Sequence, residues 1–251
     1  MVAVTAGTAR TARSTFYVWM AGVFILIAFG GFIPTYWARL ATGTFDAPPI
    51  THVHGTLFFS WTLFYFLQTW LVASGRTPDH RTWGVAGVSL FTAMAFSVVL
   101  VAVHSIKAGE AIGMGDAARR FTVVPLTSLV LVVGLFATAI ANTRRPEVHK
   151  RLMILMMIPL MHAAAARIFM TLFSPPGAVG PPPVFVAVPP GLLMCLLGVA
   201  AMIYDWRTRG KVHPVYLWGL PLVAAQVLLE IPIGASPQWM AIATALQGLN
   251  G

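Results

Sequence analysis

The chain has 251 residues, of which 58% are hydrophobic and 9% charged, whereas a soluble domain needs roughly a quarter of its residues charged to cover its surface. A surface so poor in charge must face lipid, which excludes a soluble fold and makes the apolar run of about 20 residues the structural unit. The net charge of +9 comes with no basic helix face and no aromatic stacking platform, so it speaks for membrane orientation and against nucleic acid.

Arg10 and Arg13 precede the first apolar run, 16–37. That run is too long for a secretory signal and lacks a small-residue cleavage site, so it reads as an uncleaved signal anchor. Further runs at 54–73, 84–105, 121–142, 150–173, 190–204 and 215–235 make seven predicted spans within a single transmembrane domain, 1–251, the sixth being short. Backbone groups in lipid must be satisfied within the segment, so the spans are expected to be helices. No alternation of apolar and polar residues supports a barrel. The fold class is therefore all-α, a polytopic membrane protein built as a bundle of about seven helices.

The loops orient it. Arg10, Arg13, Arg76, Arg81, Arg144, Arg145, Lys150, Arg151, Arg207, Arg209 and Lys211 fall on one side, against Arg39, Lys107, Arg119 and Arg120 on the other. Basic residues accumulate in the cytoplasm, so the N-terminus is expected there and the C-terminus in the periplasm. Trp70, Trp83, Trp206 and Trp218 fall at the inner boundary and Trp37 and Trp239 at the outer, as interfacial anchors. The outer loop 174–190, rich in proline and glycine, is expected to be extended, with no helix of its own. A connector and a lid both fit it.

Three inner hairpins resemble one another: Arg76-Thr77-Pro78-Asp79-His80-Arg81, Arg145-Pro146-Glu147-Val148-His149-Lys150-Arg151 and Arg209-Gly210-Lys211-Val212-His213-Pro214. Each puts a histidine at the start of the returning helix, giving an inner ring of His80, Arg81, His149, Arg151 and His213. A metal or haem iron is one ligand for it, but the surrounding positive charge favours lipid phosphate.

Ionisable groups inside spans are costly and are functional candidates. Arg167 and Glu230 lie at similar depth in the outer third of their helices, at about 1.5 Å per residue, and are expected to form an ion pair. His52, His54, His104, His162 and Gln226 share the outer half. In the second span His54, Phe58, Trp61, Tyr65 and Gln68 recur at spacings of three and four and line one face. That face suits core packing or the wall of a pocket for a flat apolar ligand. The cofactor-binding candidates are His54, His104, His162, Trp61 and Gln68, and the metal-ligand candidates His52, His54 and His162. Haem b or a transition metal is the cofactor such residues can ligate. No lysine lies inside a span, which excludes a retinal Schiff base; phosphate-loop, dinucleotide and His-Glu-x-x-His patterns are missing.

The run His52-Val53-His54-Gly55, with Trp61, Gln68, Gly75-Arg76, His80-Arg81 and Gly84, then His149-Lys150-Arg151-Leu152-Met153 and Arg167, resembles a widespread group of uncharacterised bacterial multi-span membrane proteins, from the second span to the seventh. The resemblance implies a bacterial inner-membrane location and brings no activity. The His-Arg and His-Lys-Arg elements also resemble transmembrane b-type cytochromes, without their ligand spacing. Two functions follow as expectations. One is a haem- or metal-binding redox protein with a polar His/Arg/Glu site in the outer half. The other is a non-catalytic accessory subunit or assembly factor, with the lipid bilayer and a larger membrane complex as partners.

Overall fold

The computed structural model describes residues 15–175 and 177–248, and every regular element among them is helical. Arg10 and Arg13 lie outside the described residues. Seven spans are long and apolar enough to cross a membrane. The first joins α1 (Phe16–Gly31), a π-helical turn (Ile33–Trp37) and the short α2 (Ala38–Ala41). The next are α3 (Pro49–Ala73), α4 (Thr77–Ala111), then α5 (Gly115–Phe121) running into α6 (Val123–Ala141), and α7 (Pro146–Phe173). A 3-10 turn (Val184–Ala187) leads into α8 (Val188–Arg209), followed by α9 (Pro214–Ala235) and a short α10 (Pro237–Gln247).

Several helices outrun the apolar stretches that mark them. Proline stands in the first two positions of α3, α4, α7, α8 and α9, where its fixed φ starts a helix and its missing N–H costs nothing. Helix therefore begins in polar sequence ahead of the hydrophobic run. The same feature corrects the expectation of a helix-free 174–190 segment, which ends in the 3-10 turn and the first residues of α8. The sixth span is not short: its polar tail, Asp205 to Arg209, stays helical until Gly210 takes the left-handed conformation at φ 70°. The separate helices α5 and α10 are absent from the apolar pattern.

At the centre stands α7. Some 61% of its apolar window is buried within the protein, against 28–39% for the other six spans, so it is the axis of the bundle. Leu152, Ile154, Leu155, Met156, Met157 and Ile158 are all completely buried, as expected of a helix apolar on all sides. Flexible methionines fill the irregular gaps of such a core. Helices α1, α6, α8 and α9 pack on α7; α3 packs on α1 and α4, and α4 on α6. Each hairpin pair, α3–α4, α6–α7 and α8–α9, is thus packed as neighbours. Between α1 and α8 the wall opens into a groove of ≈ 460 Å³ with Ala165, Ile168 and Phe169 of α7 on its floor.

We call the end where α1 begins and the three hairpins turn the basic end, and the opposite one the far end. Trp70, Trp83, Trp206 and Trp218 are exposed at the basic end, as interfacial anchors require. Trp239 corrects its assignment as an outer anchor: it is buried, and its indole N–H donates to the Arg119 carbonyl at 2.9 Å. It pins α10 across α5.

Candidate functional site

Polar side chains inside the bundle gather at three places, and only part of the expected far-end set converges. At the far end of α3 the helix starts at Pro49, so His52 and His54 are both helical and point to different sides, two residues apart. His52 Nδ1 is 3.2 Å from the Tyr36 hydroxyl of the π-helical turn. His54 Nδ1 is 2.9 Å from Ser97 Oγ on α4. His162, buried on α7, uses Nε2 on the Ala187 carbonyl at 2.7 Å, just ahead of α8. His104 is exposed. The metal set His52, His54 and His162 is therefore not assembled, and no group of three or more His, Cys, Asp or Glu among the described residues is placed to hold a metal ion. His54 turns to Ser97 on α4 and His162 to Ala187 ahead of α8, so these two candidates face different neighbours. The reason is azimuth: α3 packs on α1 and α4, whereas the His162 side of α7 faces α8.

Trp61, Tyr65 and Gln68 are buried along one face of α3, as their spacing requires. The Trp61 ring meets Phe91 of α4 and Phe136 of α6, which stack on each other at 3.8 Å between centroids. The face is core against rings. The Trp61 indole nitrogen and both amide atoms of Gln68 have no protein partner.

The expected Arg167–Glu230 ion pair is not formed. Rise per residue gave the two side chains equal depth, but depth does not fix direction around the helix axis. Glu230, completely buried on α9, turns to α6: its Oε1 accepts from Gln226 Nε2 at 2.7 Å, and the same amide donates to Thr127 Oγ1 at 2.9 Å and Ser128 Oγ at 3.2 Å. Arg167 turns to the first span, with its guanidinium 5.9 Å from the Phe32 ring centroid. The charge that acts on it is another cation, Arg39 of α2. Both arginines are exposed, and neither has a carboxylate within ion-pair distance among the described residues. Around them Phe29, Tyr36, Trp37, Phe45, His52 and Phe59 form a continuous aromatic cluster. A π-helical turn often marks a functional position, and this one supplies Tyr36 and Trp37.

The basic end holds the most enclosed ion pair among the described residues. Arg151 donates from Nε and Nη2 to the two oxygens of Asp205 at 2.8 and 2.5 Å, both side chains being 1% exposed. Its Nη1 donates to Glu147 at 2.6 Å, and Lys150 closes on the other Glu147 oxygen at 2.6 Å. The His213 backbone N–H donates to Asp205 Oδ2 at 3.2 Å, and its Nδ1 caps α9 by accepting from the Val215 N–H at 3.2 Å. One carboxylate therefore ties α7, α8 and the start of α9. His80 and His149 lie together, with ring centroids 6.3 Å apart, and His149 Nδ1 sits 2.8 Å from the Ala139 carbonyl. The expected ring thus splits into a His80–His149 pair and an Arg151–His213 centre, with Arg81 exposed outside both.

Burial, then the Arg151 and Arg209 guanidiniums, hold the His213 imidazole below the usual histidine range; Asp205 and Glu147 act the other way. A depressed folded value means the unfolded chain binds the proton more readily, so stability is full above about pH 6.5 and falls as the pH drops toward the folded value. Unfolding followed between about pH 5 and 8 should show this loss, and His213→Asn, which keeps a helix cap, should reduce it. Equal slopes for the two proteins would remove His213 from the account.

No family model matches this chain, and neither a curated protein nor a solved structure matches it. Function must be argued from the site itself. Asp205 is the residue that sequence reasoning missed. It lies on the polar tail of an apolar run, and its signal in the sequence is a carboxylate one residue beyond the predicted sixth span, at the end that carries the basic hairpins.

Proposed function

We propose that this protein binds the acidic headgroup of an amphiphile, a phosphate or carboxylate, at the far end of the bundle between the first span and α7. The observation that carries this reading is that Arg167 of α7, beside the Phe32 ring, feels the charge of Arg39 while neither has a carboxylate within ion-pair distance among the described residues. Two guanidiniums within reach of each other's field repel, and charge at membrane depth is costly. An anion between them removes both penalties, and the guanidinium fork suits phosphate and carboxylate oxygens. The neighbouring aromatic cluster supplies flat amphipathic surface at the level where headgroups lie.

On the topology expected from the basic loops, this end faces outward, in a bacterial inner membrane. The role is binding rather than redox chemistry. The histidines expected to ligate haem or metal are engaged with Tyr36, Ser97 and Ala187 or face outward, and that engagement supports the binding reading over the haem one.

The test is native mass spectrometry of the purified protein with phosphatidylglycerol and phosphatidylcholine. Wild type should retain the anionic lipid preferentially. Arg39→Ala/Arg167→Ala should lose about tenfold in that preference, the equivalent of one charged hydrogen bond of about 1.4 kcal/mol. Unchanged retention by the double variant would defeat the proposal.

A further inference from the structure

The second far-end centre, between α6 and α9, has the opposite electrostatic character and stands independently of the arginine site. Glu230 is completely buried, and no cationic side chain among the described residues pairs with it. Its Oε1 accepts from Gln226 Nε2, while its Oε2 has no partner among the described residues. The Gln226 carbonyl oxygen is likewise buried and without a partner. Thr127 Oγ1 and Ser128 Oγ lie within hydrogen-bond distance of the same amide nitrogen, and the Thr127 hydroxyl proton is already directed to the Val123 carbonyl at 2.7 Å.

The balance of donors and acceptors is what matters here. Three side-chain oxygens, Glu230 Oε1, Thr127 Oγ1 and Ser128 Oγ, share the Gln226 amide nitrogen, which brings two N–H donors for three acceptors, and Glu230 Oε2 and Gln226 Oε1 are left over. Both unpartnered atoms are acceptors. A buried acceptor left unmade costs about 1–3 kcal/mol, and an ionised carboxylate away from any cation costs several more. Buried polar groups in folded proteins are satisfied, so a positive group that the chain does not supply belongs among these oxygens.

We infer that Glu230, Gln226, Thr127 and Ser128 form a binding site for a monovalent metal cation of sodium's size. Oxygen-only ligands, one carboxylate and neutral carbonyl and hydroxyl groups select a hard cation. The single carboxylate matches a single positive charge. The far end is the way in: Glu230 lies five residues from the end of α9 and Thr127 four from the start of α6, or about 6–8 Å along the helices. The packing also fits an occupied site. Gly234, one turn beyond Glu230, lets α9 approach Val123 of α6, whose Cγ1 would stand 2.9 Å from a Cβ there, and the Arg120 carbonyl of α5, at 3.2 Å; this close approach holds α9 against α5 and α6 beside the site.

Binding of ²²Na⁺ to the purified full-length protein, measured by scintillation proximity with choline as the replacement cation, tests the assignment. Wild type should bind saturably, near one ion per chain. Glu230→Gln keeps the shape and removes the charge, and should abolish saturable binding. Thr127→Ala/Ser128→Ala removes two neutral ligands and should weaken binding several-fold; it serves as the second variant if Glu230→Gln does not fold. Absence of saturable binding in wild type overturns the site. Equal binding by wild type and both variants overturns the placement. A pH response lost in Glu230→Gln without any sodium response assigns Glu230 to the proton and overturns the metal cation.

Discussion

Arg151→Ala is expected to destabilise the protein by about 3–5 kcal/mol, the cost of stripping one partner from a buried ion pair. The guanidinium is nearly fully enclosed and donates to both oxygens of an equally enclosed Asp205, whose one other donor among the described residues is the His213 backbone N–H. Without it the carboxylate remains deep between α7, α8 and α9 with no counter-charge, and Glu147 loses its inward partner. Asp205→Ala should cost a similar amount from the other side. Arg151→Met/Asp205→Leu should recover much of the loss, because well-packed apolar replacements of a buried pair are often neutral. Unfolding of the four proteins in detergent micelles measures the cycle. If each single variant unfolds like wild type, the pair does not hold these helices.

The second large effect concerns the contact of α1 with the central helix. An ideal Cβ at Gly31 would stand 2.4 Å from the Ala164 carbonyl oxygen and 2.8 Å from the Ala164 Cβ. The first obstacle is backbone, which cannot rotate away as a side chain does. Gly31→Val must therefore push α1 off α7, at about 1–3 kcal/mol for overpacking. It should also widen the groove between α1 and α8, which Gly31 lines. Gly22 on the same helix has nothing within 4 Å of the corresponding position. Gly22→Ala should be neutral or stabilise by up to about 1 kcal/mol through helix propensity. A melting temperature unchanged in Gly31→Val, or lowered equally in Gly22→Ala, would show that the close approach does not matter.

The arginine and glutamate results bear on function in different ways. Arg39 and Arg167 are surface-exposed cations with no carboxylate in ion-pair distance among the described residues, whereas Glu230 is an enclosed carboxylate with an unpartnered oxygen. Expected as partners, they occupy separate sites because α7 carries Arg167 toward Phe32 and α9 carries Glu230 toward Thr127. Each site then needs its counter-charge from outside the chain, which is why each is proposed to bind something.

Composition and the length of the apolar runs were enough to establish that this is a helical bundle with seven spans, because lipid tolerates no unsatisfied backbone and leaves the helix as the unit. Local spacing was enough to place Trp61, Tyr65 and Gln68 on one buried face and Gln226 one turn from Glu230, since both relations are internal to a single helix. Relations between helices were not legible. Which histidine meets which neighbour, that Arg151 pairs with Asp205 across 54 positions, and that Arg167 and Glu230 diverge all depend on how each helix is rotated about its axis. That rotation is set by packing, such as the fit of Gly31 against Ala164, and a one-dimensional pattern of hydrophobic residues carries the depth of a side chain but not its partner across the bundle.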